Sequence, residues 1–179
     1  MRTLLLNGSP HREGHTAALV AELKAHLQGE VSEWNAAELK IPPCVDCRHC
    51  KTKSDCCLPQ DQMRDLLSAL GECDRLVIAS PIWMETLTPP LLAMLSRLQP
   101  LFYHKELRPQ GIRKAGVLLT GGGSGGAQGA YTTAKVLFRQ LNVGEIYPLI
   151  AYTHTDSIPA KEDPATLEAV RTFAEWMNE

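Results

Sequence analysis

The chain has 179 residues, 44% hydrophobic and 21% charged, the proportions of one globular domain long enough to bury a core. With 18 Lys and Arg against 20 Asp and Glu its formal net charge is -2, which argues against nucleic-acid or membrane-surface partners, since those need a basic excess. The apolar run Leu4-Leu5-Leu6 stops at Asn7-Gly8, too short for a secretory leader, and nothing downstream approaches the roughly 20 apolar residues of a membrane helix.

Taken in order, residues 3–7 are a short apolar run that reads as a buried strand, and Leu19, Val20, Leu23 and Leu27 then mark one face of a helix. Residues 31–35 alternate apolar and polar, a half-exposed strand. A cysteine-bearing connection leads to a helix over 61–70, followed by a second fully apolar strand at 76–80. Pro89 and Pro90 open a helix carrying Leu91, Leu95 and Leu98, because proline is tolerated in a first turn. A third apolar strand at 115–120 precedes a helix marked by Ala134, Leu137, Phe138 and Leu141. The fifth strand, 146–150, contains Pro148, which has no N–H for a ladder and so belongs at a sheet edge. Asp163 as N-cap and Pro164 at the first helical position open a last helix with Leu167, Val170, Ala174 and Met177 on one stripe.

This alternation predicts a single α/β domain over 1–179 with a doubly wound, five-stranded parallel sheet. The order 2-1-3-4-5 puts the alternating and proline-bearing strands at the edges and the apolar strands in the centre. Ligands of such sheets bind beyond the carboxyl ends of the strands, where the winding reverses. The loops after strands one, three and four should therefore face one crevice.

The first loop runs Asn7-Gly8-Ser9-Pro10-His11-Arg12-Glu13-Gly14-His15-Thr16 into a helix. Its amides, the hydroxyls of Ser9 and Thr16, and the charge of Arg12 and His11 suit a phosphate at a positive helix terminus. The second, Ser80-Pro81-Ile82-Trp83-Met84-Glu85-Thr86, is apolar where loops are usually polar, a surface for a flat aromatic ligand. The third, Thr120-Gly121-Gly122-Gly123-Ser124-Gly125-Gly126, lets backbone approach a ring edge. It also satisfies G-x-G-x-x-G, but after a fourth strand rather than a first, and G-x-S-x-G, the elbow of serine hydrolases. A hydrolase would use Ser124 with Glu145 and His154, the later acid and histidine.

Together the three loops resemble the NADPH-dependent FMN reductase and iron-sulfur flavoprotein group of the flavodoxin-like superfamily. Members typically read Gly-Ser-Pro-Arg-Lys-Asn-Gly-Asn-Thr in the first loop and Ser-Pro-aliphatic-Tyr in the second. The chain matches at Gly8, Ser9, Pro10, Gly14 and Thr16, then at Ser80, Pro81 and Ile82, with Trp83 in the aromatic position. It departs at His11 for Arg, His15 for Asn, Ser96 for Asp and Leu92 for Lys. The resemblance implies FMN, with its phosphate among Ser9, His11, Arg12, His15 and Thr16. The ring would meet Pro81, Ile82, Trp83, Met84 and Thr86 on one side and Thr120, Gly121, Gly122 and Gly123 on the other. It further implies NAD(P)H as reductant, a small-molecule or redox-protein acceptor, and a homodimer or higher homo-oligomer. Quinones, nitro compounds, azo dyes, metal ions and free flavin are all acceptors of this kind. No obligatory catalytic side chain is expected, because the flavin carries the chemistry.

Without an export signal the protein is expected in the cytoplasm, its six cysteines reduced or ligating. Cys44, Cys47, Cys50 and Cys56 form C-x2-C-x2-C-x5-C, with Cys57 and Cys73 outside the pattern. Such spacing lets one loop wrap a [4Fe-4S] cluster and also resembles the compact motif of iron-sulfur flavoproteins. Free thiols are the alternative, since many reductases of the group keep a similar loop without a cluster. Zinc fits less well, because structural zinc usually takes two separated pairs. His49, between two of the cysteines, reads as a solvated loop residue.

Overall fold

In the computed structural model, which describes residues 1–56, 58, 61–123 and 125–179, strand β1 (Arg2–Asn7) sends Leu4 and Leu6 to one face of a sheet and Leu5 to the other. β3 (Arg75–Pro81) repeats this with Leu76 and Ile78 against Val77 and Ala79, and β4 (Lys114–Thr120) with Ala115, Val117 and Leu119 against Leu118. Each face thus gains an apolar layer, as two-sided burial requires. α1 (His15–His26) and α6 (Pro164–Asn178) cover the Leu5 face, through residues such as Leu19, Leu23, Val170 and Phe173. α2 (Met63–Glu72), α3 (Pro89–Ser96) and α5 (Gln128–Gln140) cover the other, with Leu66, Leu91 and Phe138 at the centre of that layer.

The sheet is parallel throughout, in the order β2-β1-β3-β4-β5, with β2 (Glu30–Asn35) as one edge. The expected topology holds. The fifth strand does not run unbroken over 146–150. It is two pieces, β5 (Glu145–Ile146) opposite Lys114–Ala115 and β6 (Ile150–Tyr152) opposite Leu118–Thr120, and Pro148 lies in the gap. A residue with no N–H interrupts the ladder, and the chain rejoins the same edge two residues later.

The expected proline-led start of α3 is present, and so is the Asp163 cap, whose carboxylate accepts the Thr166 N–H at 2.9 Å. A short helix α4 (Gln99–Tyr103), opened by Pro100, was not anticipated from periodicity, five residues being too few to show one. Among the described residues no helix is long and apolar enough to cross a membrane.

Candidate functional site

The loop after β1 is fixed at its root from three sides. Asn7 Oδ1 accepts the Ser9 N–H at 2.8 Å, Asn35 donates to the Ser9 carbonyl at 2.9 Å, and the Thr88 hydroxyl donates to the Gly8 carbonyl at 2.8 Å. A Cβ on Gly8 would come within 2.7 Å of Thr88 Oγ1 and 2.9 Å of Ser80 Oγ, so only glycine allows this closeness. The Ser9 hydroxyl, 3.2 Å from both the His11 N–H and its carbonyl, is spent on shaping the loop.

α1 then begins after Gly14 with no side chain capping it. Its first amides have no helical acceptor, and an uncapped helix start of this kind attracts an anion. Two features line it. Thr16 Oγ1 lies 2.6 Å from Thr120 Oγ1, both residues buried, so loops one and three are tied by their hydroxyls. His15 Nδ1 accepts the Ala160 N–H at 3.2 Å, which leaves Nε2 as the nitrogen that donates. Arg12 turns away: its guanidinium donates to Glu38 at 2.8 Å and the side chain is 80% exposed.

Loops two and three are joined by the Ile82 N–H, which donates to the Thr120 carbonyl at 2.7 Å. Trp83 and Thr86 exchange both backbone bonds at 3.0 Å, closing a two-residue turn over Met84 (φ 50°) and Glu85 (φ 61°). Left-handed residues suit asparagine and glycine in such a turn, and Met and Glu are strained there. The start of α5 holds them in place, because the Glu85 carbonyl accepts the Ala130 N–H at 2.9 Å and its carboxylate accepts from Gly126 at 3.4 Å.

Of the residues singled out from sequence, Ser9, His11, His15 and Thr16 share one crevice with Pro81, Ile82, Trp83, Thr120, Gly121 and Gly122. Arg12, Met84, Thr86 and Gly123 do not line it. Arg12 lies in the adjoining groove between α1 and β2, and Met84 projects into solvent at the turn's tip, 96% exposed. A fourth loop, after β6, also enters: Thr155 lines the crevice, its N–H donating to the Gly121 carbonyl at 3.1 Å, while the Asp156 carboxylate packs on Gly122. The sequence reading missed this loop because it ended the fifth strand at residue 150, whereas β6 runs on to Tyr152, opposite Thr120. The crevice measures about 180 Å³, below the roughly 300–1,000 Å³ of pockets that enclose a ligand. Beside it Ile82 and the 44% exposed Trp83 form an open shelf.

The acid that a hydrolase would use lies at the far end of the sheet from the third loop's root. Ser124 lies outside the described residues, but Glu145 pairs with Lys114, at the opposite end of β4 from Thr120. Six residues of strand separate the two ends by about 20 Å, which argues against Glu145 as the acid of a triad.

Cys44, Cys47, Cys50 and Cys56 line a second cavity, of about 300 Å³, with Arg97, Tyr103 and Leu58. Burial pushes the Cys50 thiol up, its backbone hydrogen bond offsets part of this, and the neighbouring Cys44, Cys56 and Cys47 add to the rise. The end of α3 grips the segment: Ser96 Oγ accepts the Cys44 N–H at 2.9 Å, and Arg97 Nε donates to Cys56 Sγ at 3.1 Å. His49 instead pairs with Asp55 at 2.8 Å and holds that carboxyl below its usual range. Among the described residues, no three His, Cys, Asp or Glu side chains are set to hold a single metal ion. The thiols stand around the cavity wall rather than meeting at a point.

The chain resembles an iron-sulfur flavoprotein of Methanocaldococcus jannaschii, with 28% identity over 111 residues, 60% of this chain and 57% of that protein. It thus spans little more than half the length of that relative. Among solved structures, an NAD(P)H:quinone oxidoreductase from Methanothermobacter marburgensis superposes with a TM-score of 0.77 at 12% identity, covering 100% of this chain and 96% of that one. An FMN-dependent NADH-azoreductase from Bacillus anthracis, in complex with FMN, gives 0.73 at 13% identity over the whole of both chains. These likenesses establish the flavodoxin-like fold. Residues 1–154 match NADPH-dependent FMN reductase, and the chain belongs to that family.

Proposed function

We propose that the chain binds FMN in the crevice at the carboxyl ends of β1, β3 and β4 and passes electrons from NAD(P)H to a small acceptor. The observation that carries this is the meeting of an uncapped α1 terminus, the Thr16–Thr120 hydroxyl pair and the Ile82–Trp83 shelf at one end of the sheet. The donor set fits a phosphate, and the shelf beside it fits a ring. When bound, the flavin supplies hydride acceptance and electron release. The chain's own residues would position it: α1 amides, Thr16 and His15 Nε2 would hold the phosphate, and the Gly121–Gly122 backbone would face the ring. Met84 and Trp83, exposed at the rim, border the face where nicotinamide and acceptor would take turns.

The test is a flavin titration with an absorption spectrum of the fresh protein. FMN should bind far more tightly than riboflavin, which lacks the phosphate. Equal affinities would remove the phosphate from the α1 terminus and overturn the placement.

A second reading adds a [4Fe-4S] cluster on Cys44, Cys47, Cys50 and Cys56, making the chain an electron carrier. Two things support it: four thiols around one cavity, and the iron-sulfur flavoprotein relative. A single ion needs its sulfurs within about 2.3 Å of one point, whereas a cubane takes ligands from a surrounding wall. α3 leads from Thr88, bonded to the phosphate loop, to Ser96 and Arg97 at the cysteines, and eight residues of helix span about 12 Å. Iron and sulfide assays on anaerobic protein decide between cluster and free thiols.

A further inference from the structure

Arg97 is 1% exposed and sits in the wall of the cysteine cavity. All five of its N–H groups are used. Nε donates to Cys56 Sγ at 3.1 Å; Nη1 to the Pro42 carbonyl at 3.1 Å and to Asp61 at 2.6 Å; Nη2 to the Leu58 carbonyl at 3.3 Å and to Asp61 at 3.4 Å. The acceptors come from before, within and after the cysteine segment. A planar donor fork saturated in this way fixes the directions of all its partners at once.

The consequence is a segment held in shape from inside the fold. Its sequence alone gives no reason for order: residues 42–48 form no helix or strand, and Asp46 and Arg48 both adopt positive φ, 48° and 63°. Arg97 at one end and Ser96 at the other supply the fixed points. The bond to Cys56 has an electronic effect as well. Adding an electron to a metal–thiolate group increases its negative charge, and an N–H aimed at a ligating sulfur stabilises that charge. The Asp61 carboxylate, paired to the same guanidinium, opposes this.

We propose that Arg97 is the positioning residue of the four-cysteine cavity, preorganising it through Cys56 and raising the electron affinity of the metal–sulfur group bound there. The electronic half rests on the cluster reading; the preorganising half does not.

The experiment has two arms on the full chain. In the first, protein reconstituted anaerobically with iron and sulfide is titrated electrochemically, with the flavin potential as internal control. Arg97→Gln should disfavour one-electron reduction of the cluster about tenfold, a fall of about 59 mV, and Asp61→Asn should shift it the other way. A merely structural role would lower iron content in both variants without opposed shifts. No shift, or shifts of the same sign, with iron retained overturns the electronic half. In the second arm, hydrogen exchange on iron-free protein should show residues 40–56 at least tenfold faster in Arg97→Gln, with β1, β3 and β4 unchanged. Unaltered exchange overturns the preorganising half. A wild type that takes up no iron ends the cluster reading and the electronic half with it, and the exchange arm still decides the other.

Discussion

Two hydroxyls 2.6 Å apart share one proton between their oxygens, which leaves the second proton free to be offered outward. The Thr16–Thr120 pair can therefore offer one donor, spanning two loops, to a ligand in the crevice that both residues line. A charge-assisted bond to a phosphate is worth roughly 1.5–3 kcal/mol, so Thr16→Val should weaken FMN by about ten- to a hundredfold and leave riboflavin nearly unaffected. Thr120→Val should lose part of the same energy, and the double variant should cost less than the sum. Paired flavin titrations measure all three, with circular dichroism as folding control. Strict additivity would mean that the hydroxyls work separately. At this scale the sequence was informative where a residue's position in a motif sets its direction, as for Thr16 after Gly14 or Thr120 at a strand's end. It put Arg12 beside the phosphate because it could not register the partner Glu38, 26 residues away across a groove, and it was silent on Thr155, brought in by a strand that breaks and resumes.

Elements meet at the Met84–Glu85 turn. Two left-handed residues that are not glycine each cost on the order of 1–3 kcal/mol, which the surroundings must repay. They do so through α5, where Gly129 lies against the Glu85 carbonyl and a Cβ at that position would overlap it. Gly129→Ala should therefore push the turn, and Trp83 with it, off the crevice. FMN should weaken by roughly tenfold on the scale of one lost contact, while α5 itself gains from alanine's better helix propensity of about 1 kcal/mol. Gly71→Ala in α2 is the control, since nothing lies within 4 Å of its Cβ position: a small gain in stability, no change in flavin. An unchanged FMN affinity in Gly129→Ala would show that the turn does not depend on α5. The positions of the long elements were legible because apolar periodicity and proline placement are local properties. The strained turn was not, because Met-Glu carries no turn signal and its geometry is imposed from 45 residues downstream, where Ala130 donates its N–H.

Across the whole molecule, the two apolar layers share the sheet, and their margins carry buried polar groups whose protonation is coupled to folding. Arg75 is one, 1% exposed, bonded to the Met177 carbonyl and the Asn178 side chain at the end of α6 and to the Gln28 carbonyl after α1, so it ties the chain's last turn to its first β-α unit. Cys73 is another. It is 4% exposed beneath α2, its thiol donating to the Leu70 carbonyl at 3.5 Å, and burial pushes its pKa from 9.0 up to about 12. The folded state therefore keeps this proton between pH 9 and 12 while the unfolded chain gives it up, so the stability it contributes is complete below pH 9 and falls as pH rises. At pH 10 the loss should reach about 1.4 kcal/mol, one pKa unit's worth. Urea unfolding at pH 8 and pH 10, under reductant, should show wild type losing that much more than Cys73→Ala. The alanine variant starts lower because of the cavity it leaves, but the comparison is of slopes, not of starting values. Cys50 and Tyr152, also shifted upward, act in the same direction and equally in both proteins, so they cancel. Identical pH dependence in the two would mean that the Cys73 thiol ionises in place, and that α2 opens to water well below the global unfolding transition.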